Sequence, residues 1–334
     1  MMSYDLIFEL GRKVLSGKEL TFDEAMALTA IEEADIPILL GVANKVREQF
    51  TGKAVDTCEI VSARSGNCSE NCKFCAQSAH HNEVQFTAYP LMSEDDIVTA
   101  AKQAEQDGAS RFCIVTAGCG AEGDPDFDKI IKAIKRIGRE TALNRCCSLG
   151  TLREDHVKAL KDAGITRYHH NLETSESFFQ EICTTHTYQD RIATIKRIKA
   201  QGLQVCSGGI IGMGESWRQR IELAFTLKEL DADSVPVNVL NPIKGTPLEN
   251  SARLKPLEIL QTFAIFRLIL PAKIIRYAGG REHSLGELVP LGYLSGINGA
   301  LIGNYLTTSG RGARRDLDTI AGLGLQPACQ SSKA

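Results

Sequence analysis

The sequence lacks the charge imbalance that is typical of proteins that bind nucleic acid. Its 334 residues include 38 Lys and Arg against 41 Asp and Glu, a formal net charge of −3. A protein that grips phosphates usually carries an excess of basic residues. The composition therefore disfavours this class, and we expect no nucleic-acid partner.

Long hydrophobic runs are also missing. The most apolar stretch, "FAIFRLILPAKII", is interrupted by Arg267 and Pro271 and is too short to cross a bilayer. The first twenty residues carry charges throughout, without an apolar core and a small-residue cleavage site, so the sequence predicts no signal peptide. We therefore expect a cytoplasmic location and no membrane partner.

Cysteine, by contrast, is abundant. The chain has 11 cysteines, which in a reducing compartment more often bind metal or do chemistry than form disulfides. Cys68, Cys72 and Cys75 stand in "GNCSENCKFCAQS" with the spacing C-x3-C-x2-C and no fourth cysteine close behind. Three thiolates can hold three irons of a [4Fe–4S] cluster and leave the fourth iron open. The alternative is a structural zinc site with a distant fourth ligand.

Apolar β-rich runs alternate with amphipathic helical patterns along most of the chain. Strands are predicted at residues 57–62, 111–116, 143–149, 166–172, 203–210, 234–240, 273–279 and 298–303. Eight strands joined by helical crossovers favour an α/β protein with a (β/α)8 barrel of the TIM type. An open doubly wound sheet is the alternative fold, but "GGIIGMGE" is too weak a glycine motif to support a dinucleotide site.

The domain organisation follows from this pattern. Residues 1–55 predict an N-terminal helical extension of two or three helices, residues 56–310 the barrel, and residues 311–334 a C-terminal tail that is packed or partly disordered. No linker rich in Pro, Gly and Ser and no internal repeat separates these parts. We expect one barrel domain with the N-terminal helices packed outside it.

Barrel enzymes work at the carboxyl ends of their strands, and the cysteine triad follows the first predicted strand. A structural zinc is less suited to that position. Because side chains alternate along a strand, polar or thiol residues on five strands would share one cavity if they point inward: Cys113, His169 with Asn171 and Glu173, Cys206, Asn238, and Arg276. The alternative for each one is a hydrogen-bonded polar group in the core.

The C-x3-C-x2-C spacing with Phe74 before the last cysteine resembles the signature of radical S-adenosylmethionine enzymes. Within that superfamily, "YHHNLETS", "VCSGGIIGMGE", "VPVNVLNPIKGTPL" and "AGGREH" resemble the biotin synthase family, in family order from about residue 60 to about residue 310. The resemblance implies a sulfurtransferase that uses radical chemistry to insert sulfur into dethiobiotin and form biotin. No acid or base catalyst is implied, because the cofactor does the bond breaking.

The resemblance also implies cofactors and ligands. Cys68, Cys72 and Cys75 match the ligands of a [4Fe–4S] cluster whose open iron is chelated by S-adenosyl-L-methionine, and Asn171 and Glu173 match residues that hold this cofactor. An auxiliary cluster, [2Fe–2S] in the family, has its ligands at Cys113, Cys146, Cys206 and Arg276. Positions around dethiobiotin are matched by Arg64, His169, Asn171, Asn238, Thr307 and Thr308. The implied partners are an electron donor such as flavodoxin or ferredoxin, the Fe–S assembly machinery and a second copy in a homodimer.

The chain departs from the family pattern at several positions. Arg64 stands where lysine is common, "SEN" where P-E-D is common, Glu173 for aspartate and His186 for arginine. Four cysteines have no counterpart: Cys58, Cys119, Cys147 and Cys183. We expect Cys58 and Cys183 to be small buried hydrophobes and Cys147 to point away from Cys146. Cys119 follows the second strand and is a candidate extra ligand, which would allow an auxiliary cluster larger than [2Fe–2S].

Two other functions remain as alternatives at this point. One is a related radical S-adenosylmethionine enzyme without sulfur insertion, of the maturase or mutase type, which would not need Cys113, Cys146, Cys206 and Arg276 together. The other is an Fe–S cluster carrier, which would need exposed, labile ligands and no enclosed cavity. Reductive cleavage of S-adenosylmethionine would exclude the carrier.

Overall fold

Parallel strands close into a barrel, which confirms the predicted fold. The computed structural model describes residues 3–303 and 310–328. The strands are β1 (Ala54–Arg64), β2 (Arg111–Thr116), β3 (Asn144–Ser148), β4 (Arg167–His169), β5 (Gln204–Cys206), β6 (Gly209–Ile211), β7 (Ser234–Val239), β8 (Ile274–Tyr277) and β9 (Gly299–Leu301). Each pairs in parallel with its neighbours, and β9 pairs with β1 to complete the circle. The carboxyl ends of all the strands therefore meet at one mouth.

The predicted fifth strand, 203–210, is divided into β5 and β6. The break falls at Ser207 and Gly208, where the backbone forms hydrogen bonds with the segment that follows β4. The N–H of Gly208 donates to the side-chain oxygen of Asn171 at 3.1 Å, and the carbonyl of Gly208 accepts from the N–H of Glu173 at 3.1 Å. A Cβ at Gly208 would lie 1.9 Å from the carbonyl oxygen of Pro236, so only glycine allows this approach.

Helices surround the barrel. They are α4 (Glu94–Gln106), α5 (Phe127–Glu140), α6 (Glu154–Asp162), α7 (Glu176–Ile182), α8 (Tyr188–Ala200), α9 (Trp217–Glu229), α10 (Pro256–Ile269), α11 (Arg281–Leu285), α12 (Val289–Leu294) and α13 (Ala313–Gly322). Their starts follow capping chemistry: Ser93 caps α4, and Thr187 with Asp190 forms a capping box on α8. The short α7 had no strong sequence pattern.

Three α-helices precede the barrel, α1 (Ser3–Leu15), α2 (Phe22–Ala27) and α3 (Ile36–Thr51). Helix α3 packs on α10 and α2 packs on α9. Because α10 lies between the barrel and α3, nearly all of its side chains are buried. This explains the most apolar stretch of the sequence. Among the described helices, none has the length and apolarity needed to cross a membrane.

The described part of the C-terminal segment packs against the bottom of the barrel. After α13, a two-residue strand, β10 (Gln326–Pro327), pairs in parallel with Ala54 and Val55 at the start of β1. Leu325 and Ile320 are buried beside it. This edge lies at the amino ends of the strands, away from the mouth.

Candidate active site

A cavity of about 410 Å³ occupies the barrel and opens at its mouth. We call it the barrel cavity. It is lined by all the residues that strand alternation predicted to share one face: Cys113, His169, Asn171, Glu173, Cys206, Asn238 and Arg276. Phe74 and Cys75 of the cysteine loop close its upper side. The structure therefore brings the predicted inward set together, directly below the C-x3-C-x2-C loop.

Four thiols reach the barrel cavity from four strands. Cys113 on β2 is the register partner of Cys146 on β3, and Cys206 on β5 is the register partner of His169 on β4. The fourth is Cys58 on β1, which packs in one buried cluster with Cys113 and Cys146. From the sequence, Cys58 was expected to be only a small buried hydrophobe. Alternation within β1 would have revealed it, because it faces the same side as Ile60, the register partner of Cys113.

The other cysteines lie elsewhere. Cys119 is exposed and does not join the thiols of the barrel cavity. Cys147 is fully buried in the hydrophobic core, so it points away from Cys146 as expected. All ten cysteines of the described residues are free thiols.

Three arginines surround the floor of the barrel cavity and share one carboxylate. Arg276 pairs with Asp56 and also donates to the backbone carbonyls of Asp56 and Ala300, both at 3.1 Å. Arg167 approaches the same carboxylate at 3.5 Å, and Arg111 also lines the cavity. The three guanidiniums outnumber Asp56. The floor is therefore positively charged, which favours thiolates or an anionic metal cluster.

The ionisation of these groups follows from their contacts. Burial opposes charge on Asp56, but Arg276, Arg167 and Arg111 hold its pKa well below the ordinary value. In turn Asp56 overcomes the effect of burial on Arg276 and raises the pKa of its guanidinium. Arg276 is therefore held in its protonated form.

The four thiols of the barrel cavity differ in their pKa values. The neighbouring thiols of Cys113 and Cys146 affect each other, so that the pKa of Cys146 is lowered and that of Cys113 is raised. Burial opposes ionisation of Cys206, but His169 and the arginines lower its pKa to about 6. Burial raises the pKa of Cys58 to about 12. Cys146 and Cys206 are thus easier to ionise than Cys58 and Cys113, whose pKa values are raised.

Asn171 and Glu173 lie in the segment after β4, on the wall between the barrel cavity and a second cavity. Glu173 has a φ of 70°, a left-handed conformation that is uncommon for a residue with a side chain. Its carbonyl accepts from Ile210 at 2.8 Å, and its carboxylate accepts from the side-chain amide of Asn171 at 3.2 Å. Such backbone strain is often found at functional sites.

The second cavity, which we call the side cavity, encloses about 560 Å³. It shares Ser148, His169, Asn171 and Glu173 with the barrel cavity and is otherwise lined by polar groups that include Cys119 and Arg191. Arg191 donates to the carbonyl of Asn171 at 2.8 Å and lies 3.5 Å from the carboxylate of Glu173. An elongated molecule with charged groups can thus extend from one cavity into the other along the residues that both cavities share.

The cysteine loop is folded by its own backbone hydrogen bonds. The N–H of Cys68 donates to Gln77 at 3.0 Å, and the N–H of Cys75 donates to the carbonyl of Cys72 at 3.0 Å. Cys68 and Cys75 are partly exposed, whereas Cys72 is buried. Burial raises the pKa of Cys75 to about 11 and raises that of Cys68. The loop therefore presents neutral thiols that a metal cluster would convert to thiolates.

The other predicted substrate positions are Arg64, Asn238, Thr307 and Thr308. The guanidinium of Arg64 is bound by Asp124 at 2.8 Å and Asp126 at 3.2 Å and donates to the carbonyl of Ala117. Arg64 is not among the residues that line either cavity. Thr307 and Thr308 lie outside the described residues. Asn238 does line the barrel cavity, where its side-chain oxygen accepts from Gly279 at 2.9 Å.

A closed parallel barrel with a C-x3-C-x2-C loop at its mouth defines a radical S-adenosylmethionine enzyme. Residues 63–227 match the Radical SAM superfamily, and residues 236–326 match the Biotin and Thiamin Synthesis associated domain. The chain is 53% identical to a biotin synthase of Carboxydothermus hydrogenoformans, over 97% of this chain and 99% of that protein. A biotin synthase of Clostridium acetobutylicum is 51% identical over 96% and 98%. The chain belongs to the biotin synthase family.

Solved structures agree on the fold. Methylornithine synthase superposes with a TM-score of 0.83 at 20% identity, covering 96% of this chain and 98% of that one. An FeFe-hydrogenase maturase from Carboxydothermus hydrogenoformans gives 0.81 at 18% identity, covering 96% and 79%. At 20% and 18% sequence identity, these similarities show only that the fold is shared. Family membership makes the protein a radical S-adenosylmethionine sulfurtransferase with a [4Fe–4S] cluster and an auxiliary cluster.

Proposed function

We propose that the barrel cavity is the place where this enzyme inserts sulfur into dethiobiotin. The observation that supports this most is the set of four buried thiols, Cys58, Cys113, Cys146 and Cys206, below a loop with three further cysteines. When bound, the [4Fe–4S] cluster with S-adenosylmethionine supplies chemistry able to break an unactivated C–H bond, and the auxiliary cluster supplies sulfur. The walls of the barrel hold the substrate between the two and exclude water.

The donor sets fit these groups. Cys68, Cys72 and Cys75 would hold the [4Fe–4S] cluster, since three thiolates leave one iron for S-adenosylmethionine. Asn171 and Glu173 would hold that cofactor, because both face the wall shared by the two cavities. The Glu173 carboxylate offers an acceptor for hydroxyl groups, and Glu173 lines both cavities.

The auxiliary cluster would be held by Cys113, Cys146 and Cys206 with Cys58 as the fourth ligand. Arg276 is the ligand that the family resemblance implies; without a cluster it is paired with Asp56, and it would have to lose a proton to bind iron. Soft thiolates are the preferred ligands of Fe–S clusters. Arg276, Arg167 and Arg111 instead supply positive charge beside an anionic cluster.

The polar residues of the barrel cavity would orient dethiobiotin. His169, Asn171 and Asn238 offer hydrogen-bonding groups on one side of the cavity, and we assign them to polar groups of the substrate. Arg64 would act from outside the cavity by fixing the loop with Asp124. Thr307 and Thr308 would contact the substrate carboxylate.

The partners follow from the reaction. Radical cleavage consumes an electron, so a small electron-transfer protein of the flavodoxin or ferredoxin type would serve as donor, and the Fe–S assembly machinery would renew the clusters. We also propose a homodimer in a reducing, cytoplasmic compartment, where ten free thiols are stable. Sedimentation of the full chain would give twice the monomer mass of 36.4 kDa.

The function is tested by anaerobic incubation of the reconstituted full chain with dethiobiotin, S-adenosylmethionine and a reductant. Mass spectrometry should detect biotin together with methionine and 5′-deoxyadenosine. If 5′-deoxyadenosine forms but no biotin appears from dethiobiotin, the proposed substrate is wrong while the radical chemistry stands.

Replacing Cys58 with serine should remove iron from the auxiliary site. The reconstituted protein is expected to hold about six irons per chain if the two clusters are [4Fe–4S] and [2Fe–2S], and Cys58→Ser should lower this number by up to about two. Iron analysis and visible absorption measure the loss. Cys119→Ser is the matched control, because Cys119 is exposed and apart from the other thiols. Equal iron in both variants would show that Cys58 is not a ligand.

A further inference from the structure

A second group of metal-binding side chains lies next to the cysteine loop and outside both proposed cluster sites. Glu70 belongs to the loop, whereas Cys183 and His186 belong to the turn between α7 and α8. The ligand atoms of these three residues all lie within 4.8 Å of one another. Cys183 and His186 are separated by two residues, a spacing that zinc sites often use.

The turn is held firmly against the loop. The side-chain oxygen of Asn71 accepts from the backbone N–H of Thr184 at 3.0 Å and of Thr185 at 3.3 Å. The hydroxyl of Thr185 donates to the carboxylate of Glu70 at 2.6 Å. These bonds join two segments more than 100 residues apart, so the group is formed by the fold and not by local sequence.

The positions of Cys183 and His186 suit one metal ion. Sγ of Cys183 is 3.3 Å from Nδ1 of His186. With metal–sulfur bonds of about 2.3 Å and metal–nitrogen bonds of about 2.0 Å, a sulfur and a nitrogen of one tetrahedral site lie about 3.5 Å apart. Glu70 Oε2 contacts the same Nδ1, so the carboxylate must rotate away from the ring to bind the ion beside it.

We propose that Cys183, His186 and Glu70 form a mononuclear site for a thiophilic divalent cation, Zn²⁺ or Fe²⁺, in the enzyme before its radical cluster is loaded. One thiolate, one imidazole and one carboxylate suit either ion, with water in the fourth position. The Sγ atom of Cys183 lies 3.7 Å from that of Cys72, so the ion lies directly beside the proposed [4Fe–4S] cluster.

Binding also involves Arg191. This residue donates to Nε2 of His186 at 2.9 Å, which leaves the imidazole proton on Nδ1. A cation at Nδ1 displaces that proton, Nε2 becomes the protonated nitrogen, and the bond from Arg191 is broken. Arg191 keeps its bond to the carbonyl of Asn171 and its ion pair with Glu173. Cation binding therefore removes one hydrogen bond of Arg191 and leaves its contacts with the shared wall in place.

The test titrates the full chain, prepared anaerobically without clusters, with Zn²⁺ against a chromophoric chelator. Cys183→Ala and His186→Ala should each lose one tightly bound zinc equivalent or bind it at least about 100-fold more weakly. Cys147→Ala, another buried cysteine that lies in the core, should bind as the wild type does. Thermal melts of each variant check that it is folded, and Cys183→Ser serves as a second variant if Cys183→Ala unfolds.

Cobalt gives a second readout. Co²⁺ in the wild-type chain should show the visible bands of a tetrahedral site with a thiolate ligand, and these bands should be lost in Cys183→Ala. If folded Cys183→Ala and His186→Ala bind zinc and cobalt as the wild type does, the three residues form only a hydrogen-bonded network and the proposal is overturned.

Discussion

Replacing Cys75 with alanine is expected to abolish the formation of 5′-deoxyadenosine, by at least about 10³-fold. Two remaining thiolates leave a second iron of the [4Fe–4S] cluster without a protein ligand. Because the three cysteines hold the cluster as one unit, losing one of them should cost about as much activity as losing all three. The measurement is chromatography of 5′-deoxyadenosine after anaerobic incubation with S-adenosylmethionine and a reductant. The same reaction with dethiobiotin should also give no biotin.

Cys147→Ala is the matched control for this substitution. Cys147 is a buried cysteine of β3 that lies in the hydrophobic core and does not line the barrel cavity. This variant should retain both products at close to the wild-type rate. A Cys75→Ala protein that still makes 5′-deoxyadenosine at a normal rate would show that the cysteine loop does not hold the radical cofactor.

Replacing Cys206 with alanine should separate the two halves of the reaction. This residue is buried in the barrel, whereas the cysteine loop is at the mouth. The variant is therefore expected to keep cleavage of S-adenosylmethionine within about threefold and to lose biotin formation almost completely. Both products are measured in one anaerobic reaction. An unchanged yield of biotin would contradict the assignment of the sulfur donor to the barrel cavity.

The barrel and most of its inward residues could be predicted because both depend on short-range periodicity. Alternation along β4 already places His169 on the same face as Asn171 and Glu173. Alternation along β2 likewise places Cys113 on the face that points into the barrel. The split between β5 and β6 could not be predicted this way. It depends on the approach of Gly208 to Pro236, a contact between two strands that the sequence of either one does not reveal.

The other features that the sequence did not predict also depend on contacts between distant parts of the chain. Cys58 was expected to be a small hydrophobe, and only the closure of β1 onto β2 places it beside Cys113. The ion pair between Arg64 and Asp124 joins β1 to a distant loop, and the sequence did not predict it. The approach of Cys183 to Cys72 joins residues 111 positions apart. Spacing along the chain carries no information on such tertiary contacts.

The central claim is that the sulfur of biotin comes from a cluster held by the thiols of the barrel cavity. The most direct test reconstitutes the full chain with ³⁴S-labelled sulfide, removes free sulfide, and runs a single turnover with dethiobiotin. Mass spectrometry of the product should show biotin that carries ³⁴S in the wild type and no biotin in Cys206→Ala. Biotin of natural sulfur composition from the labelled wild-type enzyme would contradict the account.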